Sequence, residues 1–355
     1  MSEDLDYIDS KKIYSLIKSY NKETHKYVHI SKACQQIDSC YDILYTKGQY
    51  KHGATKTPMC LIGKMKKLKG KGQILKRSII YFKISYDKTH GLVVYDGGLS
   101  ELLIGSIISK YYSDKYKYCI NFGYYKGFFF CPTREKNTYK SYVIMEEITN
   151  NLKENPITSF KCMRNFLLQT IITTLCALKL GINHNDFHGG NVMYKIINDS
   201  DKYKGKQISK YTHFKYIFNK KVYYIQNNGV LFKYMDLDFA SKFGNPGIIR
   251  NDIMQQGYCR DYSICNEYSP SYDLLIIIDT FHHIGDQIKI PQLKKLCLSI
   301  LKHYTGKRNF KQIKNYQQRP RSEYLDINMS DIIDKFFFPY SEKPCDAKIL
   351  QVCNF

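Results

Sequence analysis

The side chains best suited to chemistry in this sequence form two groups. His184, Asp186 and Asn191 fit the pattern HxDxxxxN, which puts a carboxylate and an amide five residues apart on one loop. Asp236 and Asp238 follow a short apolar run further along the chain. Phosphoryl transfer needs a carboxylate near the acceptor hydroxyl, and it needs Asn and Asp oxygens that hold the Mg²⁺ neutralising the phosphates. Together the two groups predict a phosphoryl-transfer site.

Each group also has a simpler interpretation. His184, Asp186 and His188 are all residue types that bind zinc, although no second set of His or Cys residues accompanies them. The same loop would also suit an ordinary turn stabilised by Asp and Asn. Acids such as Asp236 and Asp238 are common at the end of a strand. The occurrence of both groups in one chain favours phosphoryl transfer over these alternatives.

The elements that would position these groups change character along the chain. From about residue 26 to 149, short β-like runs alternate with Gly and charged turns, and one amphipathic helix is predicted over 99–112. After that the pattern is helical, over 160–180, 271–284 and 291–304. A mostly β part followed by a mostly α part predicts an α+β protein with a small β-rich lobe, a larger α-helical lobe and a cleft between them.

The predicted domain boundaries follow from these changes. Residues 1–25 form an N-terminal helical extension, 26–147 the N-terminal lobe and 148–355 the C-terminal lobe. Within the C-terminal lobe, residues 198–220 are polar and basic, which predicts a basic surface insertion. A small hairpin is predicted around the Asn-Asn-Gly turn at 227–229, because apolar runs flank it on both sides.

The two chemical groups resemble the catalytic loop HRDxxxxN and the metal loop DFG of the eukaryotic-type protein kinase superfamily. The chain has the divergent form HNDFHGGN, with His188 where typical protein kinases have Lys, and it has DLD in place of DFG. This form is most similar to the serine/threonine kinases of large cytoplasmic DNA viruses, of poxvirus and giant-virus type, and to haspin-like kinases. The resemblance spans roughly residues 26–284. It implies a two-lobed protein kinase-like fold.

Parts that this superfamily requires outside the two loops occur in the expected order. Lys83 lies in the apolar run 79–84, and Glu101 lies in a predicted helix eighteen residues later. Residues 142–148 resemble the apolar strand that leads through a gatekeeper, here Met145, into the hinge. Taken alone, Lys83 would be a solvated strand lysine and Glu101 an acid favoured at a helix N-terminus. Their order and spacing favour the kinase interpretation.

By this resemblance the protein transfers the γ-phosphate of ATP to serine or threonine hydroxyls of protein substrates. Asp186 would orient the hydroxyl and accept its proton. Asn191 and Asp236 would hold Mg²⁺. Lys83 would contact the α- and β-phosphates, and Glu101 would orient Lys83. The implied ligands are therefore ATP and Mg²⁺.

The nucleotide-binding parts are less regular than the loops. The adenine would bond backbone groups of Glu146 and Ile148, beside the gatekeeper. No GxGxxG motif occurs upstream of the predicted phosphate lysine. Gly53, in the run Gly-Gln-Tyr-Lys-His-Gly, is the candidate for the phosphate-covering glycine loop.

Four further residues have implied structural roles. His184 would be structural, and Asp273, at the start of an apolar helix, resembles the acid that anchors the catalytic loop backbone. Asn185 stands where many family members have Arg, so we expect activity that needs no phosphate on the activation segment. Asp238 replaces the glycine that lets the metal loop flip, which predicts a fixed site.

Composition limits the partners and the compartment. The chain has 54 Lys and Arg against 32 Asp and Glu, a formal net charge of +22, which favours acidic protein substrates. Contact with nucleic acid is compatible with this charge but is not predicted. Twelve scattered cysteines without a CxxC pair, and no signal-peptide pattern, predict a reducing compartment: the cytoplasm, or the host cytoplasm or virion for a viral protein. The longest uncharged helical stretch, 165–178, is too short to span a membrane.

Two other functions fit the same residues. Small-molecule phosphotransferases resembling aminoglycoside and choline kinases also use HxDxHxxN, with a His where His188 stands. A catalytically weak kinase-like scaffold, binding an acidic partner through its charge, is favoured only by the irregular glycine loop. Labelling of proteins or of small molecules by ATP would distinguish the three.

Overall fold

The structure is a computed structural model of the chain. It describes residues 41–42, 61–65, 73–81, 84–87, 91–94, 100–101, 103–105, 107–108, 119–123, 125–132, 138–146, 148, 150–243, 249–251, 270–305 and 329–355. Three features predicted from the sequence lie outside the described residues: the N-terminal helical extension (1–25), Gly53 and Lys83.

The described elements are mostly short strands, with a few helices among and after them. The strands are β1 (Tyr41–Asp42), β2 (Leu61–Met65), β3 (Gln73–Tyr81), β4 (Ile84–Asp87), β5 (Gly91–Val94), β6 (Tyr125–Pro132), β7 (Thr138–Glu146), β8 (Asn150–Asn151), β9 (Ile182–Asn183), β10 (Met193–Ile196), β11 (Lys202–Tyr203), β12 (Lys206–Gln207), β13 (His213–Phe218), β14 (Lys221–Gln226), β15 (Val230–Lys233), β16 (Ser241–Lys242), β17 (Ile249–Asn251) and β18 (Ile349–Asn354). The helices are α1 (Phe160–Lys179), α2 (Pro270–Gln287), α3 (Pro291–Thr305) and α4 (Met329–Phe336). The described residues between 100 and 108 are also helical. The three long helices predicted from periodicity are confirmed.

An antiparallel sheet of five strands, in the order β1-β2-β3-β7-β6, is the largest element described before residue 147. β7 is rich in β-branched and aromatic residues, which favour a strand, and it pairs with β3 along its whole length. Glu146 is opposite Gln73 and Thr138 is opposite Tyr81. The hinge end of β7 therefore lies beside the start of β3, and β3 ends two residues before Lys83.

Helix α1 forms the centre of the core. Every side chain from Asn165 to Leu178 is buried, as expected of a helix that is apolar on all sides and packed among other elements. One of its buried polar groups, the Gln169 side-chain oxygen, accepts hydrogen bonds from the Phe232 backbone N–H (3.0 Å) and the Asn121 amide (3.3 Å). The helix therefore holds the strand that precedes Asp236 directly against the core.

Two small sheets join distant segments around the end of α1. One has the strand order β4-β5-β17-β16-β9 and the other β15-β10-β8. In the first, Asn183 is opposite Ser241. In the second, Tyr194 is opposite Phe232 on one side and Asn150 on the other. Both pairings bring the loop 184–191 alongside the residues that follow β15.

The predicted basic insertion, 198–220, is only partly a surface element. Its first half forms the hairpin of β11 and β12, whose lysines are exposed. Its second half includes β13, where Phe214, Tyr216 and Phe218 are buried on alternate positions. β13 lies between β14, which is antiparallel to it, and β18, which is parallel to it. Pairing with β18 thus makes the second half of the insertion part of the core.

The hairpin predicted around residues 227–229 is wrong. β14 pairs with β13 across the two-residue turn Asn219-Lys220, and β15 pairs with β10. Both turn residues have positive φ, 48° and 65°, which suits the tight hairpin turn that matches strand twist. The Asn-Asn-Gly sequence instead carries the chain from one sheet to the next, with Gly229 at φ 78°.

The structure confirms a mixed α and β protein with small, mainly antiparallel sheets and several helices. In the part of the chain that it describes, no helix is both long and apolar enough to cross a membrane.

Candidate active site

The loop 184–191 begins where α1 ends, and a glycine makes that connection. Gly181 has φ 72°, and a Cβ at this position would lie 2.0 Å from the Phe243 carbonyl oxygen. Only glycine fits so close an approach of two backbones. The chain then forms β9 against β16. This pairing sets the loop beside the segment 236–240.

Asp273 anchors the loop through its backbone. The N–H groups of His184 and Asn185 donate to the two carboxylate oxygens of Asp273, at 2.7 and 2.8 Å. Asp273 is fully buried in the first turn of α2. Hydrogen bonds to a charged acceptor are stronger than neutral ones, and here both act on consecutive residues. The predicted contact between Asp273 and the loop backbone is confirmed.

Asn185 links the loop to the segment that follows the second acid group. Its amide nitrogen donates to the Phe239 carbonyl (2.9 Å) and to the Ser241 hydroxyl (3.3 Å). Its φ of 68° lies in the left-handed region, which Asn tolerates better than most residues. The neutral side chain of Asn185 is therefore bonded within the site.

His184 is a buried, neutral residue that connects the loop to the segment before Asp236. Its side chain is 0% exposed, stacks on Phe187 at 4.1 Å between ring centroids, and lies 2.7 Å from the Met235 carbonyl through Nε2. Because a carbonyl can only accept, Nε2 carries the proton and donates. Burial lowers the pKa of His184 to about 4, so the ring is neutral near pH 7. These contacts agree with the structural role expected for His184.

Asp186 and Asn191 lie together at the exposed side of the loop. The Asn191 amide nitrogen donates to the Asp186 backbone carbonyl and to its Oδ2, both at 3.0 Å. Asn191 is 3% exposed, whereas the Asp186 side chain is 22% exposed. Since the amide nitrogen is engaged by Asp186, the amide oxygen is the atom that Asn191 can offer to a metal ion. The carboxylate of Asp186 is accessible to a substrate.

His188 stands next to the same carboxylate. Its Nε2 is 3.6 Å from Asp186 Oδ2, and its Nδ1 accepts a hydrogen bond from the Gly190 N–H at 3.0 Å. That bond puts the proton of the neutral ring on Nε2, the nitrogen facing Asp186. Burial lowers the pKa of His188, while the negative charge of Asp236 acts in the opposite direction. Asp236 directly follows Met235, whose carbonyl bonds His184 of the loop.

The second acid group forms a cluster with a residue from a distant helix. One carboxylate oxygen each from Glu101, Asp236 and Asp238 lie within 4.8 Å of one another. Glu101 is 1% exposed, and the two aspartates are partly buried. Like charges this close repel, and a cation between them removes that repulsion. Carboxylate oxygens are the ligands that Mg²⁺ prefers, so this acid cluster fits a divalent cation.

Contacts to the helical segment 100–108 position Glu101 in the acid cluster. The Ser100 hydroxyl donates to the Ala240 carbonyl at 2.7 Å, and the Tyr125 hydroxyl donates to Glu101 Oε1 at 3.3 Å. Asp236 has a left-handed φ of 63°, which turns the chain sharply after β15. Glu101 and Asp236, predicted to share one site, are thus brought together, and Asp238 joins them.

The predicted adenine-contacting residues lie at the end of β7. Met145 and Ile148 are each 5% exposed, and Glu146 is partly buried. The Glu146 carboxylate binds Lys233, whose ammonium is 2.8 Å from Oε2. The sequence analysis did not predict this contact, although Lys233 lies between the apolar residues of β15 and the apolar pair Tyr234-Met235, which is the signal of a buried lysine.

The described residues of the loop and the acid cluster supply a carboxylate open to an acceptor, an amide oxygen beside it and three acids whose oxygens suit a divalent cation. These are parts that can orient a hydroxyl and hold a metal-bound polyphosphate. Lys83 and Gly53, predicted to complete the site, lie outside the described residues. Comparison of the sequence with protein-family models and with curated proteins found no match.

Proposed function

We propose that this protein is an ATP-dependent kinase with a two-lobed protein kinase-like fold that phosphorylates serine or threonine residues of proteins. The observation that carries the proposal is the loop of Asp186 and Asn191, which is fixed by Asp273 and bonded through His184 to the residue before Asp236 of the acid cluster. The five-stranded sheet with its neighbouring helical segment supports the smaller lobe, and the buried α1 and α2 support the larger one.

The roles follow from the positions of these groups. The acceptor hydroxyl would bond the Asp186 carboxylate, which accepts its proton as the new O–P bond forms and ADP leaves. His188 Nε2 and the Asn191 amide would hold that carboxylate in place. Mg²⁺, bound by Asp236 and the Asn191 oxygen with Asp238 beside them, would neutralise charge on the phosphates.

The register of the large sheet bears on the phosphate lysine. Ile74 is opposite Met145, and Lys76 is opposite Val143. Alternate residues of a strand share one face, so Lys76 is on the same face of the sheet as the predicted gatekeeper Met145. Lys83 lies beyond the last residue of β3. We therefore propose Lys76 as a second candidate beside Lys83 for the lysine that contacts the α- and β-phosphates.

A small-molecule phosphotransferase is the second candidate function. It is favoured by His188, because the HxDxHxxN enzymes carry a His at this position and here the ring contacts Asp186 directly. The net charge of +22 supports the protein kinase instead, since an extended basic surface suits a large acidic partner better than a small molecule.

The decisive experiment is an assay of the purified chain with labelled ATP and Mg²⁺. Acidic proteins, basic proteins, amino sugars and choline serve as separate acceptors. Asp186→Asn should lower turnover by about 10²-fold or more with little change in affinity for Mg·ATP, because the carboxylate acts on the acceptor. Asp199→Asn, an exposed acid in the insertion, is the matched control and should keep full activity.

The acceptor that becomes labelled separates the functions. Label in protein alone supports the protein kinase, and label in small molecules alone supports the phosphotransferase. No transfer to any acceptor supports a scaffold. An equal loss of ATP affinity in Asp186→Asn would contradict the role assigned to this carboxylate.

A further inference from the structure

Lys233 is a buried lysine that joins three separate segments. Its side chain is 1% exposed, and its ammonium donates to the Ile120 carbonyl (2.9 Å) and to Glu146 Oε2 (2.8 Å). Ile120 belongs to the stretch before β6, Glu146 ends β7, and Lys233 itself ends β15. A buried ammonium is stable only with such partners, so these contacts fix the relative positions of the three segments.

Two lysines that differ in exposure contact the Glu146 carboxylate. Lys195 Nζ lies 3.8 Å from Oε1 of Glu146 and 2.6 Å from Asp201, and its side chain is 29% exposed. The buried contact with Lys233 is shorter than this second contact by about one ångström. Lys233 therefore adds a close, buried contact to the backbone pairing that holds the end of β7, and Lys195 adds a weaker, more hydrated contact.

The end of β15, where Lys233 lies, leads directly into the acid cluster. Residue Tyr234 exchanges backbone hydrogen bonds with the stretch before β6: its N–H donates to the Asn121 carbonyl (2.8 Å), and its carbonyl accepts from the Gly123 N–H (3.0 Å). Asp236 follows two residues later. Lys233 thus sits between the predicted adenine site at the end of β7 and the predicted metal site.

We infer that Lys233 is a positioning residue that holds the backbone groups of Glu146 and Ile148 where they can bond the adenine. This inference rests on the proposed function, in which backbone groups of Glu146 and Ile148 contact the base. Side-chain substitutions leave those backbone groups in place, so an effect on nucleotide affinity reports their position. In this scheme the acid cluster and Asp186, rather than Lys233, act on the phosphates and the acceptor, so turnover of bound ATP should be unaffected.

The test is the double variant Lys233→Met with Glu146→Met. Replacing both partners by apolar side chains of similar volume leaves no lone buried charge, so the fold should tolerate the change. Dissociation constants for Mg·ATP and for adenosine, which has no phosphates, should both rise about tenfold, because small displacements of a binding group are costly. The value of kcat at saturating ATP should stay within about threefold of the parent.

Lys195→Met is the matched control, since it removes the other lysine near Glu146, and its affinity for adenosine should equal that of the parent. Parental affinity in the double variant, or a fall in kcat without a change in affinity, would overturn the inference. If the double variant does not fold, Lys233→Gln, which keeps a donor for Ile120, should weaken adenosine binding, and parental binding there overturns the inference as well. An unaltered chain that fails to bind Mg·ATP would refute the proposed function itself.

Discussion

The loop 184–191 and the acid cluster are built in opposite ways. The loop is held by neighbouring protein groups: the Asp273 carboxylate binds two of its backbone N–H groups, and the His184 ring donates to a backbone carbonyl. The acid cluster instead brings three like charges within 4.8 Å of one another, from Glu101, Asp236 and Asp238. Contacts of the first kind favour one geometry at all times. Contacts of the second kind would be favoured by a bound cation, which reduces the repulsion between the carboxylates.

This difference separates two kinds of measurement. Changes in the contacts that hold the loop should lower the free energy of unfolding of the protein alone, because they remove buried hydrogen bonds. Changes in the acid cluster should appear mainly in nucleotide-dependent activity, because they alter how a cation and its phosphates are held. Three variants or sets of variants test this division.

The largest effect is expected from Asp273→Ala. It leaves the N–H groups of His184 and Asn185 buried without an acceptor, and we expect the free energy of unfolding to fall by about 3 to 5 kcal/mol, with loss of activity. Urea denaturation without ligand measures the first quantity. Asp331→Ala, which removes the first-turn acid of α4, is the control and should cost about 1 kcal/mol or less. Equal losses in the two variants would show that Asp273 is only a helix N-terminal acid.

The second effect concerns the pH dependence of stability. The pKa of His184 falls from 6.5 to about 4 on folding because of burial, so the folded state favours the neutral ring. The stabilisation is present above pH 6.5 and is lost as the pH falls towards 4, with a total of about 3 kcal/mol. His184→Gln should remove this part of the pH dependence, as measured by denaturation at several pH values. If the variant keeps the parental slope between pH 6.5 and 4, the neutral assignment is wrong.

The smallest effect concerns Glu101 of the acid cluster and the lysine that it is proposed to orient. If Lys76 pairs with Glu101, the losses in kcat/KM for Lys76→Met and Glu101→Gln should not add, and their coupling energy should be about 1 to 3 kcal/mol. Lys83→Met should then be additive with Glu101→Gln. Coupling to Lys83 instead would support the assignment made from the sequence. If the losses in kcat/KM for Glu101→Gln add to those of both lysine variants, Glu101 orients neither lysine and is an ordinary acid of its helix.

Short-range patterns predicted much of this site. Asp186 and Asn191 lie five residues apart, so their contact depends on a single loop, and the Asp273 anchor follows from an acid placed at the start of an apolar helix. Glu101 was found from its spacing in the chain. Such local patterns can be recognised in a sequence because a few neighbouring residues set the geometry.

Long-range pairings were not accessible from the sequence. The pairing of β13 with β18 joins His213 to Ile349, and apolar alternation alone does not choose between partner strands. The wrong hairpin has the same cause, since Asn219-Lys220 is a weaker turn signal than Asn-Asn-Gly yet forms the actual turn. The burial of Lys233 was not predicted, because a strand lysine is expected to be exposed when its partners are unknown.

The C-terminal strand β18 has a consequence for how the polypeptide can be divided. The paired residues His213 and Ile349 are 136 residues apart in the chain, so closing the sheet requires a long loop to be ordered first. A fragment that stops before residue 349 would leave one edge of β13 open, with apolar Phe214, Tyr216 and Phe218 on one face. Open apolar edges recruit other chains. Expression boundaries placed before β18 should therefore yield aggregates, whatever the activity of the site.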